Sequence, residues 1–267
     1  MQINIVILGS TGSIGENMLD IIRKDKKNLR VHLLTANKNY KKLIKQAEEF
    51  NVKNILIYSD KYYELLKLKL KGRKINIFSK KTKLNKILKK RVDYTICGIS
   101  GLDGLKPTLD VIKFTKTIAS ANKESIICGW YLINKKLKKY NTKFIPIDSE
   151  HYSIWNLTRE YSNNDIEEII LTASGGPFLN SPIRIQKTIT PEKTVRHPRW
   201  KMGKKISVDS ANLMNKVFEI MEASKMFNFD LEKYKIFIHP QSYAHTIIKF
   251  KNGLIKMLLH EIGRAHV

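Results

Sequence analysis

The chain has 267 residues, 42% of them hydrophobic, which suits one large domain or two modest ones with a real core. Its 49 Lys and Arg against 24 Asp and Glu give a formal charge of +25, yet only nine of the cations are arginine and the lysines are scattered over many segments. That pattern reads as a solvated lysine surface and argues against a base-reading face, which favours arginine's fork; no apolar run reaches about 18 residues, which argues against a membrane-spanning helix. The two cysteines, Cys97 and Cys128, make neither a disulfide framework nor a metal finger. With a strand starting at Ile3 and no room for a signal or transit peptide, a reducing cytoplasm is expected.

Ile3 to Leu8 is a nearly continuous apolar run, as in a buried parallel strand. It passes into Gly9-Ser10-Thr11-Gly12-Ser13-Ile14-Gly15, after which Met18, Leu19, Ile21 and Ile22 keep helical spacing. Strand, glycine turn and helix form the layout that sets a dinucleotide pyrophosphate on a helix N-terminus. The second strand, Val31 to Ala36, ends at Asn37-Lys38-Asn39. A site for NAD usually has an acidic residue there for the ribose 2′-OH. Amides and a cation stand here instead, which points to NADPH, with an ordinary surface lysine as the alternative reading of Lys38.

Strand and helix keep alternating. Strands are expected at 54–58, 75–78, 94–97 and 116–119, and helices at 62–71, 82–90 and 102–113, with Pro107 in the first turn of the last. The alternation predicts an α/β fold, a Rossmann-like doubly wound parallel sheet whose ligands gather at the carboxyl ends of its strands. Ala121-Asn122-Lys123-Glu124 falls at one such end. Helix capping explains Asn122 and Glu124; Lys123 is unhelpful at a helix N-terminus.

The strand Phe144 to Ile147 runs into Asp148-Ser149-Glu150. In extended backbone, residues two apart point the same way, so both carboxylates could reach one hard cation such as Mg²⁺ or Mn²⁺. The alternative is a helix N-cap. A strand over 166–172 then leads to Ala173-Ser174-Gly175-Gly176-Pro177-Phe178, either a nest for phosphate or a plain turn. Trp200 and Met202 lie in an expected loop, as in a mobile lid. Asp209-Ser210 is expected to cap a helix reaching about Lys225. Met214, Val217, Phe218 and Met221 share one face of it; Asn212, Asn215, Lys216, Glu219 and Glu222 share the other, which taken alone reads as a solvated face. His239 and His245 lack metal-ligand spacing and read as hydrogen-bonding groups behind a site. Strands at 246–250 and 254–259 are joined by a hairpin at Lys251-Asn252-Gly253.

In sum the chain resembles the 1-deoxy-D-xylulose 5-phosphate reductoisomerase family. The matching stretches are Gly9 to Gly15, Ala121 to Ser125, Pro146 to His151, Ser174 to Phe178, His197-Pro198 with Trp200 and Met202-Gly203, Lys205 to Ala211, Met214-Asn215-Lys216 with Glu219, and Ile238 to Ser242. They come in the family's order across nearly the whole chain. The resemblance implies an NADPH-dependent enzyme of the non-mevalonate isoprenoid route, which converts 1-deoxy-D-xylulose 5-phosphate to 2-C-methyl-D-erythritol 4-phosphate by skeletal rearrangement and reduction. It implies a divalent metal (Mg²⁺ or Mn²⁺, with Co²⁺ a further candidate) on Asp148, Glu150 and Glu219. It places nucleotide contacts at Thr11, Gly12, Ser13, Ile14, Asn37, Lys38, Asn39, Asn122, Glu124 and Gly203. Substrate contacts fall at Lys123, Ser149, Glu150, Ser174, His197, Ser210, Asn215, Lys216 and Glu219, with Lys123, Asp148, Glu150, His197 and Glu219 catalytic and Trp200 the lid. The substrate is a sugar phosphate; a homodimer is expected, and no nucleic-acid or membrane partner.

The expected organisation is an NADPH-binding domain over residues 1–149, an α+β catalytic domain over 150–260, and a non-native tail over 261–267. Family members continue into a helical C-terminal domain, whereas Glu261 to Val267 matches what one reading frame of a sequencing adapter encodes. Asn37 also stands where many members carry glycine. The alternative function is therefore a nucleotide-binding fragment of that enzyme without turnover.

Overall fold

The structure is a computed structural model that describes residues 2–182, 188–195 and 204–259. The chain divides into two compact units between Ile147 and Asp148.

The first unit is a seven-stranded parallel sheet. Its strands are β1 (Ile3–Leu8), β2 (Leu29–Ala36), β3 (Asn54–Ile57), β4 (Asn76–Ser79), β5 (Val92–Cys97), β6 (Thr115–Ser120) and β7 (Lys143–Pro146), in the spatial order β4-β3-β2-β1-β5-β6-β7. The helices are α1 (Ser13–Lys24), α2 (Tyr40–Glu49), α3 (Asp60–Lys69), α4 (Leu105–Val111) and α5 (Lys123–Tyr140). Ile5, Val6, Ile7 and Leu8 of the central strand are at most 2% exposed. A strand covered on both faces has no polar side to show, which is why its sequence does not alternate. The order of strands reverses between β1 and β5, the place where such sheets open a crevice.

The helix expected over 82–90 is not formed. One 3₁₀ turn, Leu84–Lys86, stands in its place. The segment joins β4 at the sheet edge to β5 beside β1, four strand positions away. It must travel about 19 Å across the strands, so a helix lying along them has no room. Ile87 and Leu88 pin the crossing to the core at 6% and 2% exposure.

The second unit begins with α6 (Ser149–Thr158). A mixed sheet of β8 (Ile166–Ala173), β9 (Tyr234–Ile238), β10 (Ala244–Phe250) and β11 (Ile255–Leu259) has the order β11-β10-β8-β9. The hairpin between β10 and β11 turns at Gly253, whose φ of +85° suits glycine. Further helices are α7 (Pro191–Thr194), α8 (Lys204–Ala211) and α9 (Met214–Phe227). Asp209 and Ser210 do not cap the long helix; they lie inside the last turn of α8. The break comes at Leu213, in the left-handed region at φ +61°, and the Asn212 side chain accepts the Met214 N–H at 3.1 Å. The capping signal thus sits a few residues later than the sequence suggested.

Candidate active site

The first unit carries the dinucleotide features. Gly9 leaves β1 at φ +81°, and a Cβ there would stand 2.9 Å from the Gly98 carbonyl at the end of β5. A Cβ at Gly15 would lie 2.4 Å from Ser10 Cα, so glycine alone lets α1 press against the turn. Gly12 is the N-cap of α1 and makes no side-chain capping bond. No cap side chain therefore competes with a ligand for the first-turn N–H groups. Thr11, Ser13 and Ile14 line that turn, and Asn37, Lys38 and Asn39 are exposed at the end of β2. Asn39 also caps α2, accepting the Lys42 N–H at 3.2 Å.

Asn122 is 4% exposed at the N-cap of α5. Its oxygen accepts the Ser125 N–H at 2.8 Å, and its amide donates to the Gly101 carbonyl at 2.8 Å and to that of Ile99. The capping reading therefore holds for this residue. Lys123, 8% exposed, opens the helix, and Glu124 follows in its first turn.

The second unit holds the acidic cluster. Asp148 caps α6, its Oδ1 accepting the Glu150 N–H at 3.2 Å, and Glu150 lies in the first helical turn. The two carboxylates therefore converge through a helix start and not through an extended i, i+2 pair. Capping and clustering are one arrangement here. Asp148, Glu150 and Glu219 each present a ligand atom within 4.8 Å of the others.

Glu219 comes from α9, and that helix is turned opposite to its amphipathic reading. Lys216, Glu219 and Glu222 are buried at 6%, 2% and 1%, while Met214, Val217 and Met221 are 38–42% exposed. The Lys216 ammonium is bonded to Glu150 Oε1 and lies 2.6 Å from Glu219 Oε2. Asn215 donates to the other oxygen of Glu219. Burial would raise the Glu150 carboxyl, but the Lys216 ammonium outweighs it and holds the group below the usual carboxylate value.

His151 was not singled out in the sequence, although it closes one of the matching stretches. It is fully buried; Nδ1 meets Asp148 Oδ1 at 2.9 Å and Nε2 meets the Glu219 carbonyl at 3.0 Å, with Glu222 Oε2 at 3.5 Å. Both ring nitrogens face acceptors, so both donate. Burial alone would lower its pKa; Glu222 and Asp148 push it up to about 10. Thr246 donates to the Glu150 carbonyl at 3.1 Å from β10. Of the two histidines expected behind the site, His245 is 2% exposed and acts on the Glu150 charge, while His239 takes the Tyr243 N–H at 3.2 Å and staples a turn.

The glycines after β8 adopt φ +87° at Gly175 and +70° at Gly176, and a Cβ at Gly176 would stand 2.7 Å from the Ser210 carbonyl. Ser174 and Ser210 thus belong to neighbouring stretches of backbone. Ser149 donates to Glu150 Oε2. His197, Trp200, Met202 and Gly203, like His260 and the tail 261–267, lie outside the described residues.

The donor set suits a divalent metal. All three converging ligands are carboxylates, the hard oxygen donors that Mg²⁺ and Mn²⁺ favour. Among the described residues His151 and Lys216 are the cations that these carboxylates and Glu222 are seen to meet.

A parallel sheet with a glycine turn at its switch point, followed in the chain by a unit with three clustered carboxylates, is the layout of a dinucleotide-dependent oxidoreductase with a candidate site for a divalent metal. The comparisons make this specific. The family model for 1-deoxy-D-xylulose 5-phosphate reductoisomerase matches residues 5–129, and the model for that enzyme's C-terminal domain matches 144–227. The reductoisomerase of Pelagibacter ubique is 55% identical over 259 residues, covering 96% of this chain and 67% of its own length. The Zymomonas mobilis enzyme, solved with NADPH, superposes with a TM-score of 0.89 at 35% identity, over 99% of this chain and 68% of that one. A reductoisomerase structure with NADPH, fosmidomycin and magnesium gives a TM-score of 0.87 at 34% identity, over 97% and 66%. The chain belongs to the 1-deoxy-D-xylulose 5-phosphate reductoisomerase family, and it spans about two thirds of the length of the relatives it matches.

Proposed function

We propose that this chain carries the dinucleotide and metal-binding parts of an enzyme that rearranges and reduces 1-deoxy-D-xylulose 5-phosphate to 2-C-methyl-D-erythritol 4-phosphate. The observation that carries the reading is the convergence of the Asp148, Glu150 and Glu219 carboxylates, within 4.8 Å of one another, in a chain whose first strand ends in the glycine turn. Asp148, Glu150 and Glu219 hold the metal, Mg²⁺ or Mn²⁺. When bound, it polarises substrate oxygens as a Lewis acid, and NADPH supplies the hydride.

The chain's own groups do the rest. His151 orients Asp148 through Nδ1 and ties it to the α9 backbone through Nε2. Thr246 fixes the first turn of α6. Lys216 serves as internal counterion to Glu150 and Glu219; with a metal on those oxygens its ammonium would be available to the substrate phosphate, together with Ser174, Ser210 and Asn215. Ser149 contacts the substrate and Lys123 contributes a cation at the start of α5; the roles of His197 as a substrate contact and of Trp200 as a lid rest on the family resemblance alone. Thr11, Gly12, Ser13 and Ile14 cradle the pyrophosphate, with Asn37, Lys38, Asn39, Asn122, Glu124 and Gly203 completing the NADPH contacts.

The chain acts as a homodimer in the cytoplasm in this reading. Support for pairing comes from the second sheet, where Ile255, Met257 and Leu259 of β11 are 50–61% exposed and Met257 stands opposite Ile247 of β10. No helix of the described residues is long and apolar enough to cross a membrane. The test is NADPH oxidation with 1-deoxy-D-xylulose 5-phosphate and Mg²⁺ or Mn²⁺, for this chain and for a form extended by the relatives' remaining third. Turnover by the extended form alone makes this chain a binding fragment; no turnover by either overturns the enzyme reading.

A further inference from the structure

Beneath the glycine turn lies a buried polar knot whose centre is Gln46, a residue that no sequence motif brings to notice. Gln46 is 4% exposed on α2, and Ser10 and Thr35 are fully buried. Gln46 Oε1 accepts from Ser10 Oγ at 2.8 Å, and Nε2 donates to the Ser10 carbonyl at 2.9 Å and to Glu16 Oε1. Thr35 holds the other side of the turn: its Oγ1 accepts the Gly9 N–H at 2.9 Å and its carbonyl accepts the Ser10 N–H at 2.8 Å. Glu16, in the first turn of α1, is also paired with Lys42 of α2 at 2.8 Å.

Helix α2 therefore grips both the turn and the first turn of α1. The same helix starts directly after Asn37-Lys38, with Asn39 as its cap. Asn39 and Gln46 are seven residues apart, about 10 Å of rigid helix. The turn that faces the pyrophosphate and the segment that faces the adenosine ribose are thus the two ends of one stiff link.

We propose that Gln46 is a positioning residue for the dinucleotide: it locks the Gly9–Gly15 turn in register with Asn37–Asn39, so that a ligand spanning both finds them already aligned. This rests on the NADPH reading above. A buried amide that satisfies a backbone carbonyl, a hydroxyl and a carboxylate at once is costly to remove, because each partner is left without its bond. The loss falls on alignment between two subsites and not on either subsite alone.

The experiment compares NADPH with adenosine 2′-monophosphate, which keeps the adenosine end and its 2′-phosphate but has no pyrophosphate to reach the glycine turn. Affinities are measured by calorimetry for the unaltered chain, for Gln46→Met and for Ser10→Ala. Gln46→Met should bind NADPH about tenfold more weakly, with adenosine 2′-monophosphate affected less than about threefold. Ser10→Ala, a smaller change that tests the knot if Gln46→Met does not fold, should shift NADPH in the same direction and by less. Equal losses for both ligands, or NADPH affinity within about twofold of the unaltered chain in both variants, overturn the positioning role. Failure of the unaltered chain to bind NADPH overturns the underlying reading instead.

Discussion

Replacing Lys216 with Met removes an ammonium bonded to both Glu150 and Glu219 while keeping most of the side-chain volume. Its Nζ is 2.6 Å from Glu219 Oε2 and bonded to Glu150, in a setting where the lysine is 6% and Glu219 2% exposed. Breaking a buried pair by deleting one partner costs about 3–5 kcal/mol. Protonation caps the loss: raising a carboxyl pKa by about three units costs about 4 kcal/mol, the same range. Urea unfolding in EDTA at pH 7.5, followed by the fluorescence of Trp155 on α6, should show a midpoint about 2 M lower than that of the unaltered chain. At one saturating Mg²⁺ concentration the gap should narrow by RT times the logarithm of the ratio of the two Kd values, about 2.7 kcal/mol if the variant binds a hundredfold more tightly, because the metal no longer competes with the lysine. Mg²⁺ should also bind the variant more tightly and release a proton on binding. An unchanged midpoint in EDTA, or a Mg²⁺ shift equal in both proteins, refutes the counterion role.

Other outcomes follow from the same geometry. Asp148→Asn and Glu219→Gln, made in the extended form, should reduce turnover at least about 10³-fold with NADPH affinity within about twofold, checked by steady-state rates and calorimetry; loss of NADPH binding would place the metal site elsewhere. Gly15→Ala forces a Cβ to 2.4 Å from Ser10 Cα, so it should weaken NADPH binding in the same titration and lower stability by about 1–3 kcal/mol. Cys128 is exposed and Cys97 buried, so iodoacetamide should label Cys128 in the native protein and reach Cys97 only in denaturant. Burial pushes the Cys97 thiol up to about 12 from 9. Its folded pKa is raised, so its contribution is complete below about pH 9 and is lost as the pH rises towards 12. Unfolding midpoints should fall over that window with a slope from this thiol of at most about 1.4 kcal/mol per pH unit, and Cys97→Ala should flatten the slope.

Much of the first unit was legible because its signals are local. Continuous apolar runs mark strands buried on both faces, and Gly9 and Gly15 mark a turn packed too closely for a Cβ at either position. The stretch 80–91 misled because helical periodicity is local, whereas its course is set by where β4 and β5 lie in the sheet. Helix α9 misled more instructively. Its charged stripe looked like a solvated face, yet Lys216, Glu219 and Glu222 are buried because each has a charged partner supplied from elsewhere in the chain or the helix. Burial of paired charge leaves no mark in hydrophobic periodicity. Gln46 and His151 were missed for the same reason: each is recognised by its partners, and the partners lie 36 and 68 residues away.

The central place of β1 has a consequence during synthesis. Its two neighbours are β2, complete at Ala36, and β5, complete at Cys97. β1 therefore waits with one edge unpaired while the intervening 61 residues are made, roughly 3–12 s at usual elongation rates of about 5–20 residues per second. During that interval the most apolar segment of the unit offers an open edge to other nascent chains. Synonymous codons that slow translation between Ala36 and Cys97 should therefore lower the yield of soluble protein, even though the finished molecule would be identical.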